Sequence, residues 1–248
     1  MSWSYFRSIV YTAPLFCLAT AVMGLISLCA SLLGASESKL HRLAVRWAHM
    51  LLSIARVRVT VEGLEKLVPG ESYVFAANHA SYMDTPVILS ALPVEFRFLA
   101  KEGLFQIPLL GTHLDRAGHL PVVRDNPRAS LRSMSDAARI ISDRDISVLV
   151  FPEGGRTPDG EVHEFKEGVA YIAIKAGVRV VPVALTGTRE VLRMHSLNLR
   201  PHPVGIIIGD PIDTSGLTIR DREQLTLVLR EQILDMLGQD CPKPQPAR

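Results

Sequence analysis

The chain has 248 residues, room for one sizeable α/β domain plus a short appendage. Its 27 basic and 25 acidic side chains leave a formal charge of +2, too small for the basic stripe that neutralises nucleic-acid phosphates, so nucleic acid is excluded as a partner. Cys17 and Cys29 lie in an apolar run and Cys241 near the carboxyl end, which gives neither a disulfide framework nor a zinc-spaced cluster and fits a reducing compartment.

Residues Ile9 to Leu33 carry no charged side chain. As a helix rising about 1.5 Å per residue they would cover more than the roughly 30 Å hydrocarbon core of a bilayer. A cleaved signal peptide is the competing reading; the length of the run and the single preceding basic residue, Arg7, favour a membrane helix. Lys39, Arg42 and Arg46 follow the run, so the positive-inside bias puts the bulk of the chain on the cytoplasmic side of the cytoplasmic membrane. Pro14 would kink the first turns, which leaves open a helix sunk in one leaflet rather than spanning.

From Leu40 to Val57 a second helix is predicted, because Leu40, Leu43, Trp47, Met50, Leu51 and Ile54 recur at helical spacing while Arg42, Arg46 and His49 lie largely off that stripe. Trp47 and its neighbouring arginines suit the headgroup level, so this helix is expected along the interface; packing on the soluble domain is the alternative. Residues 1–56 are thus read as membrane-anchoring helices and 57–239 as an α/β domain, with a Pro-rich, frayed tail over 240–248.

Within the domain, short β-rich runs alternate with helical segments, the pattern of a largely buried sheet with flanking helices. Strands are predicted near 57–62, 72–77, 96–100, 120–123, 146–151, 179–185 and 204–208. Leu131, Met134, Ala138 and Ile141 mark one amphipathic helix, and Leu225, Val228, Leu229, Ile233, Met236 and Leu237 mark the last.

The chemistry-bearing residues fall in two loops. Asn78-His79-Ala80-Ser81-Tyr82-Met83-Asp84 follows the apolar run Tyr73–Ala77 and precedes a short helix with Pro86 in its first turn, which places it at a strand end, where reactive groups gather in α/β sheets. On a continuous helix, positions five apart point about 140° away from each other, so pairing His79 with Asp84 requires a bend between them. Given that bend, the carboxylate accepts from Nδ1–H and leaves Nε2 as a base: the orienting half of a catalytic triad, with a substrate hydroxyl as nucleophile. The second segment, Phe151-Pro152-Glu153-Gly154-Gly155-Arg156-Thr157, follows the strand ending at Val150; its glycines admit a ligand close to the backbone, and Arg156 offers a planar fork of donors for a phosphate. The bland reading, a solvated turn, fits Arg156 taken alone. Metal-protease, serine-hydrolase, phosphate-loop and dinucleotide-binding signatures are absent from the sequence.

Together the two segments resemble the glycerolipid acyltransferase family, which includes 1-acylglycerol-3-phosphate acyltransferases. Gly118-His119-Leu120-Pro121-Val122-Val123-Arg124 is similar to that family's second motif and Val181-Pro182-Val183 to its fourth, in matching order over residues 78–183. The resemblance implies a mixed sheet, catalysis by His79 and Asp84, and substrate binding by Arg124, Glu153, Gly154 and Arg156, with Lys101 and Lys166 as further phosphate contacts. It departs from the family at Gly155, where Thr is usual, at Thr157, where Ser is commoner, and at His119, which puts acceptor preference in question at position 155.

The expected reaction is transfer of a fatty acyl group from acyl-CoA or acyl carrier protein to the sn-2 hydroxyl of lysophosphatidic acid, a membrane lipid. Alternatives are another lysolipid acceptor, such as lyso-ornithine lipid or lysophosphatidylglycerol, or a non-catalytic lipid-binding protein. No cofactor and no metal is expected, since a hydroxyl attacking a thioester needs neither, and His113 and His119 lack placed carboxylate or Cys partners and suit a surface or capping role. A backbone N–H near Gly154 is the candidate oxyanion donor.

Overall fold

The computed structural model describes residues 3–123 and 126–238. The chain opens with α1 (Trp3–Arg7), a π-turn over Ser8–Thr12 and α2 (Ala13–Leu32), which run on as a single apolar rod. Pro14 explains the π-turn: its ring crowds the carbonyl four residues back and offers it no N–H, and the widened turn lets Ala13 N–H reach the Ser8 carbonyl instead. The rod lies along the domain and is tied to it at both ends. Near its start the fully buried Ser8 hydroxyl donates to the Leu197 carbonyl at 2.7 Å and accepts from Leu199 N–H at 2.8 Å, and near its end the Arg116 guanidinium donates to the Ser31 carbonyl. Ala19, Met23, Ser27 and Ser31, four residues apart, are the buried stripe between those ties; Leu15, Leu18, Val22, Leu25 and Ile26 are exposed on the other side.

Helix α3 (Glu37–Ala55) starts at Ser36, whose side chain accepts from Lys39 N–H, with Glu37 in the first turn where a helix favours a negative charge. Its buried residues, Leu40, Ala48, Leu51, Leu52 and Ala55, pack on the domain, and Trp47 Nε1 donates to Thr20 Oγ1 at 3.2 Å. Thus α3 lies between the rod and the domain, joined to both.

Seven strands form one sheet: β1 (Arg58–Glu62), β2 (Tyr73–Ala77), β3 (Phe96–Lys101), β4 (Leu120–Val122), β5 (Ser147–Val150), β6 (Arg179–Thr186) and β7 (Pro203–Ile208). All seven predicted strands are present. Their spatial order is β1-β7-β6-β2-β5-β3-β4, every neighbouring pair parallel except the antiparallel β6–β7, so the sheet is mixed, as the resemblance implies.

The central strand β2 reads as an unbroken apolar run because both its faces are covered. Tyr73, Phe75 and Ala77 point into a core shared with α3 and α4 (Asp84–Ala91); Val74 and Ala76 point into a second core with α7 (Pro127–Arg144), α8 (Gly168–Ala176) and α10 (Arg222–Leu237). Each large apolar side chain so buried contributes roughly 1.5–3 kcal/mol. Short helices α5 (Glu102–Phe105) and α6 (Leu110–Arg116) fill the β3–β4 connection, and α9 (Thr188–Val191) follows β6. The carboxyl ends of the parallel neighbours β2, β5, β3 and β4 lie along one edge of the sheet, and the motif-bearing loops start there.

Candidate active site

Asp84 opens α4, and the loop from β2 curls around its fully buried carboxylate. Oδ2 accepts from the amides of Ala80 and Ser81, each at 2.8 Å, and meets His79 Nδ1 at 2.7 Å. This is the bend the five-residue spacing requires. Because Oδ2 is an acceptor towards both amides, it is an acceptor towards the ring as well, which assigns the proton to Nδ1 and leaves Nε2 as the base.

The backbone of His79 is held from two sides by the loop after β5. Its N–H donates to Glu153 Oε1 at 2.8 Å, and its carbonyl accepts from Thr157 N–H at 2.8 Å and from Thr157 Oγ1 at 3.3 Å. The Phe151 ring stacks on the imidazole, centroids 3.8 Å apart and 13° from parallel. Asn78 joins the loop to β6: its side-chain amide donates to the Leu185 carbonyl at 3.1 Å and accepts from Leu185 N–H at 2.8 Å, copying a strand pairing. Ser81 Oγ accepts from Met83 N–H and donates to the Leu192 carbonyl at 2.7 Å.

Arg156 comes to the same loop. Its Nε donates to the Ser81 carbonyl at 3.3 Å, and its guanidinium carbon lies 4.2 Å from the centroid of the exposed Tyr82 ring. One flat face of the fork is thereby engaged by the Tyr82 ring. Gly154 has φ +77°, and a Cβ there would stand 2.8 Å from Lys166 Nζ, so Lys166 lies over the second motif loop as well. Lys101 ends β3, two strands from β2 along the same edge. Arg124 lies outside the described residues.

The surroundings of Glu153, Gly154 and His119 are as follows. Glu153, expected as a substrate contact, turns Oε1 inward to the His79 amide. Burial, above all, pushes its carboxyl up to about 7, with the Asp84 charge adding to the rise and the amides of His79 and His163 opposing it. The amide of Gly154 closes a turn onto the Phe151 carbonyl at 3.0 Å. His119, partly buried, takes the capping role: its Nδ1 accepts from Phe98 N–H at 3.1 Å, and burial, with the Arg97 charge, lowers its pKa to about 4.

Asn78, Tyr82, Phe151 and Thr157 were given no individual role from sequence. Their positions inside the two motifs were visible, but the cross-loop contacts that define their work join residues 72 to 107 positions apart. Beside these loops a cavity of about 500 Å³ is lined by Leu99, Met134, Val150, Phe151, Ile172 and Lys166. Phe151 is its wall on the side of His79.

Comparison with known proteins places this geometry. Residues 58–186 match the family model described as Acyltransferase. The chain is 32% identical over 237 residues to a 1-acyl-sn-glycerol-3-phosphate acyltransferase of Chlamydomonas reinhardtii, covering 93% of this chain and 69% of that protein. It is 31% identical over 170 residues to the enzyme of the same name from Limnanthes douglasii, covering 68% of this chain and 60% of that one. The chain spans 52% of the Limnanthes alba relative, so it corresponds to about half to three-fifths of these plant proteins. A crystal structure of the 1-acyl-sn-glycerophosphate (LPA) acyltransferase PlsC from Thermotoga maritima superposes with a TM-score of 0.75 at 25% identity, covering 96% of this chain and all of that one. With the family model covering residues 58–186, just over half the chain, this protein belongs to the acyltransferase family.

Proposed function

We propose that this acyltransferase moves a fatty acyl group from a thioester to the free hydroxyl of lysophosphatidic acid, giving phosphatidic acid. The observation that carries the reading is the 2.7 Å contact of His79 Nδ1 with a buried Asp84 oxygen that two amides already hold in place. The names of the relatives supply the acceptor.

His79 Nε2 takes the proton of the acceptor hydroxyl as its oxygen attacks the thioester carbonyl, and Asp84 stabilises the imidazolium that results. The C–O bond forms, the C–S bond breaks, and the leaving thiolate recovers the proton from His79. Arg156, with Arg124 assigned by resemblance, seats the phosphate; Lys166 stands over the same loop. Glu153 and Thr157 fix the His79 backbone, and the apolar cavity behind Phe151 suits a hydrocarbon chain. Atoms and charge balance without a cofactor.

The rod α1–α2 serves as the membrane attachment. Tied to the domain at both ends, it lies in the plane of one leaflet with its exposed apolar side in hydrocarbon, and Lys39, Arg42 and Arg46 beyond its end suit the anionic headgroups of a cytoplasmic leaflet.

The test is thiol release from palmitoyl-CoA, and separately from palmitoyl acyl carrier protein, by detergent-solubilised protein given lysophosphatidic acid. Wild type should release thiol in step with phosphatidic acid, and His79→Ala should release none. Silence of the wild type with both donors and with a panel of other lysolipids would reject enzymatic acyl transfer.

A further inference from the structure

The membrane-facing surface does not end with the rod. Among the described residues of the domain, large exposed apolar side chains cluster over residues 104–110, and of those that stand apart Leu197 is the most exposed; both places are joined to the rod's ends. At the far end, Leu104, Ile107, Leu109 and Leu110 are 39–61% exposed within seven residues, and α6, which begins at Leu110, holds the Ser31 carbonyl through Arg116. At the near end, Leu197 is 67% exposed in the segment whose carbonyl and amide clasp Ser8.

The composition and backbone of the far segment fit the same role. No charged side chain occurs between Gly103 and Thr112. Leu109 has φ +67°, a conformation that a bulky residue adopts only when the surroundings enforce it, and the outcome is a leucine held 61% exposed. Strain retained to expose an apolar group makes physical sense when the exposed group meets hydrocarbon rather than water. Leu32 and Leu33, 53% and 88% exposed where the rod ends beside α6, continue the apolar surface from the rod towards the segment.

The near segment links this surface to the site. Ser81, inside the catalytic loop, donates to the Leu192 carbonyl at the start of the stretch that reaches Leu197. At the far end, the exposed leucines follow directly on Lys101 and the carboxyl end of β3. The segment 104–110 and Leu197 are thus joined, by chain continuity and by the Ser81 bond, to the sheet edge and loop that carry the site.

We propose that the segment 104–110 and Leu197 enter the acyl layer of the leaflet together with the rod, so that the bilayer contacts the enzyme along a three-part apolar border around the active-site mouth. This rests on the reading of α1–α2 as a membrane attachment. Its occupant is lipid rather than a second copy, because the patches continue a surface already assigned to hydrocarbon and the acceptor itself must leave a bilayer to react.

The experiment places p-benzoylphenylalanine singly at Leu25, Leu109, Leu197 and Leu227 of the full chain, bound to vesicles of phosphatidylcholine and phosphatidylglycerol, and identifies the photoadducts by mass. Leu25 on the rod is the reference for membrane contact, and Leu227, 50% exposed on α10, is the reference for solvent. Lipid adducts at Leu109 and Leu197 at the Leu25 level, at least tenfold above Leu227, are expected. Adducts at Leu25 alone, or protein–protein adducts at Leu109 or Leu197, overturn the proposal while sparing the rod. Loss at Leu25 also overturns the membrane reading itself. As an independent readout, Ile107→Glu with Leu109→Glu should cut activity on vesicle-borne acceptor about tenfold and leave that on a short-chain, water-soluble acceptor within about twofold.

Discussion

Asp84 receives three donors on one oxygen, so its substitution separates orientation from charge. Asp84→Asn offers an amide to the same ring and amides but loses the preference for Nδ1–H; we expect kcat to fall about 10²–10⁴-fold with KM for the acceptor little changed, read by steady-state thiol release. Tyr82 acts one step further out, through Arg156 rather than on the reacting atoms. A cation–π contact at an exposed site is worth about 0.5–1 kcal/mol, so Tyr82→Ala should raise the KM for lysophosphatidic acid roughly two- to fivefold at constant kcat. Tyr82→Phe keeps the ring and should behave as wild type; equal loss in both variants would place the effect in the hydroxyl instead. At this scale the sequence was informative where chemistry depends on residue type and local spacing, as at His79 and Asp84. It was silent where one side chain serves two distant strands: Asn78 pairs with Leu185, 107 residues away, and no local pattern announces that.

The loop between β5 and α8 carries Phe151, Glu153 and Thr157 onto the His79 segment, and its shape depends on Gly154 adopting φ +77°. A side chain at that φ costs about 1–2 kcal/mol in backbone strain, and its Cβ would also push Lys166 aside. Gly154→Ala should therefore lower Tm by about 2–8 °C at this chain size and reduce activity more than stability alone explains. Gly155→Ala is the matched control: nothing lies within 4 Å of its added Cβ, so its Tm should move by less than about 2 °C in differential scanning calorimetry. The strands were legible because a sheet buried on both faces writes short unbroken apolar runs, and all seven lie within a few residues of their predicted limits. The antiparallel sense of β7 was not, since an apolar strand carries no mark of its neighbour's direction. The Pro14 kink was expected, but not its form as a π-turn that sets Ser8 onto the Leu197 segment.

Across the whole molecule, one polar knot ties the start of α3 to the sheet and to α7. Glu37 in the first turn of α3 accepts from buried Arg97 on β3 and from Arg144 at the end of α7, and this pairing holds its carboxyl below the usual range despite partial burial. His119 lies against the same group, neutral, with Nδ1 taking the Phe98 amide. Its folded-state pKa of about 4 is below the ordinary value of 6.5, so between those values the unfolded chain binds the extra proton and the folded one does not. Stability is therefore full above about pH 6.5 and falls progressively as pH drops towards 4, by on the order of 2–3 kcal/mol from this group. His119→Asn keeps an acceptor for Phe98 N–H and removes the titration. In matched melts the variant should be less stable than or equal to wild type at pH 8, and the gap should close or reverse by pH 4.5. A gap that stayed constant over that range would show that His119 is not the titrating group.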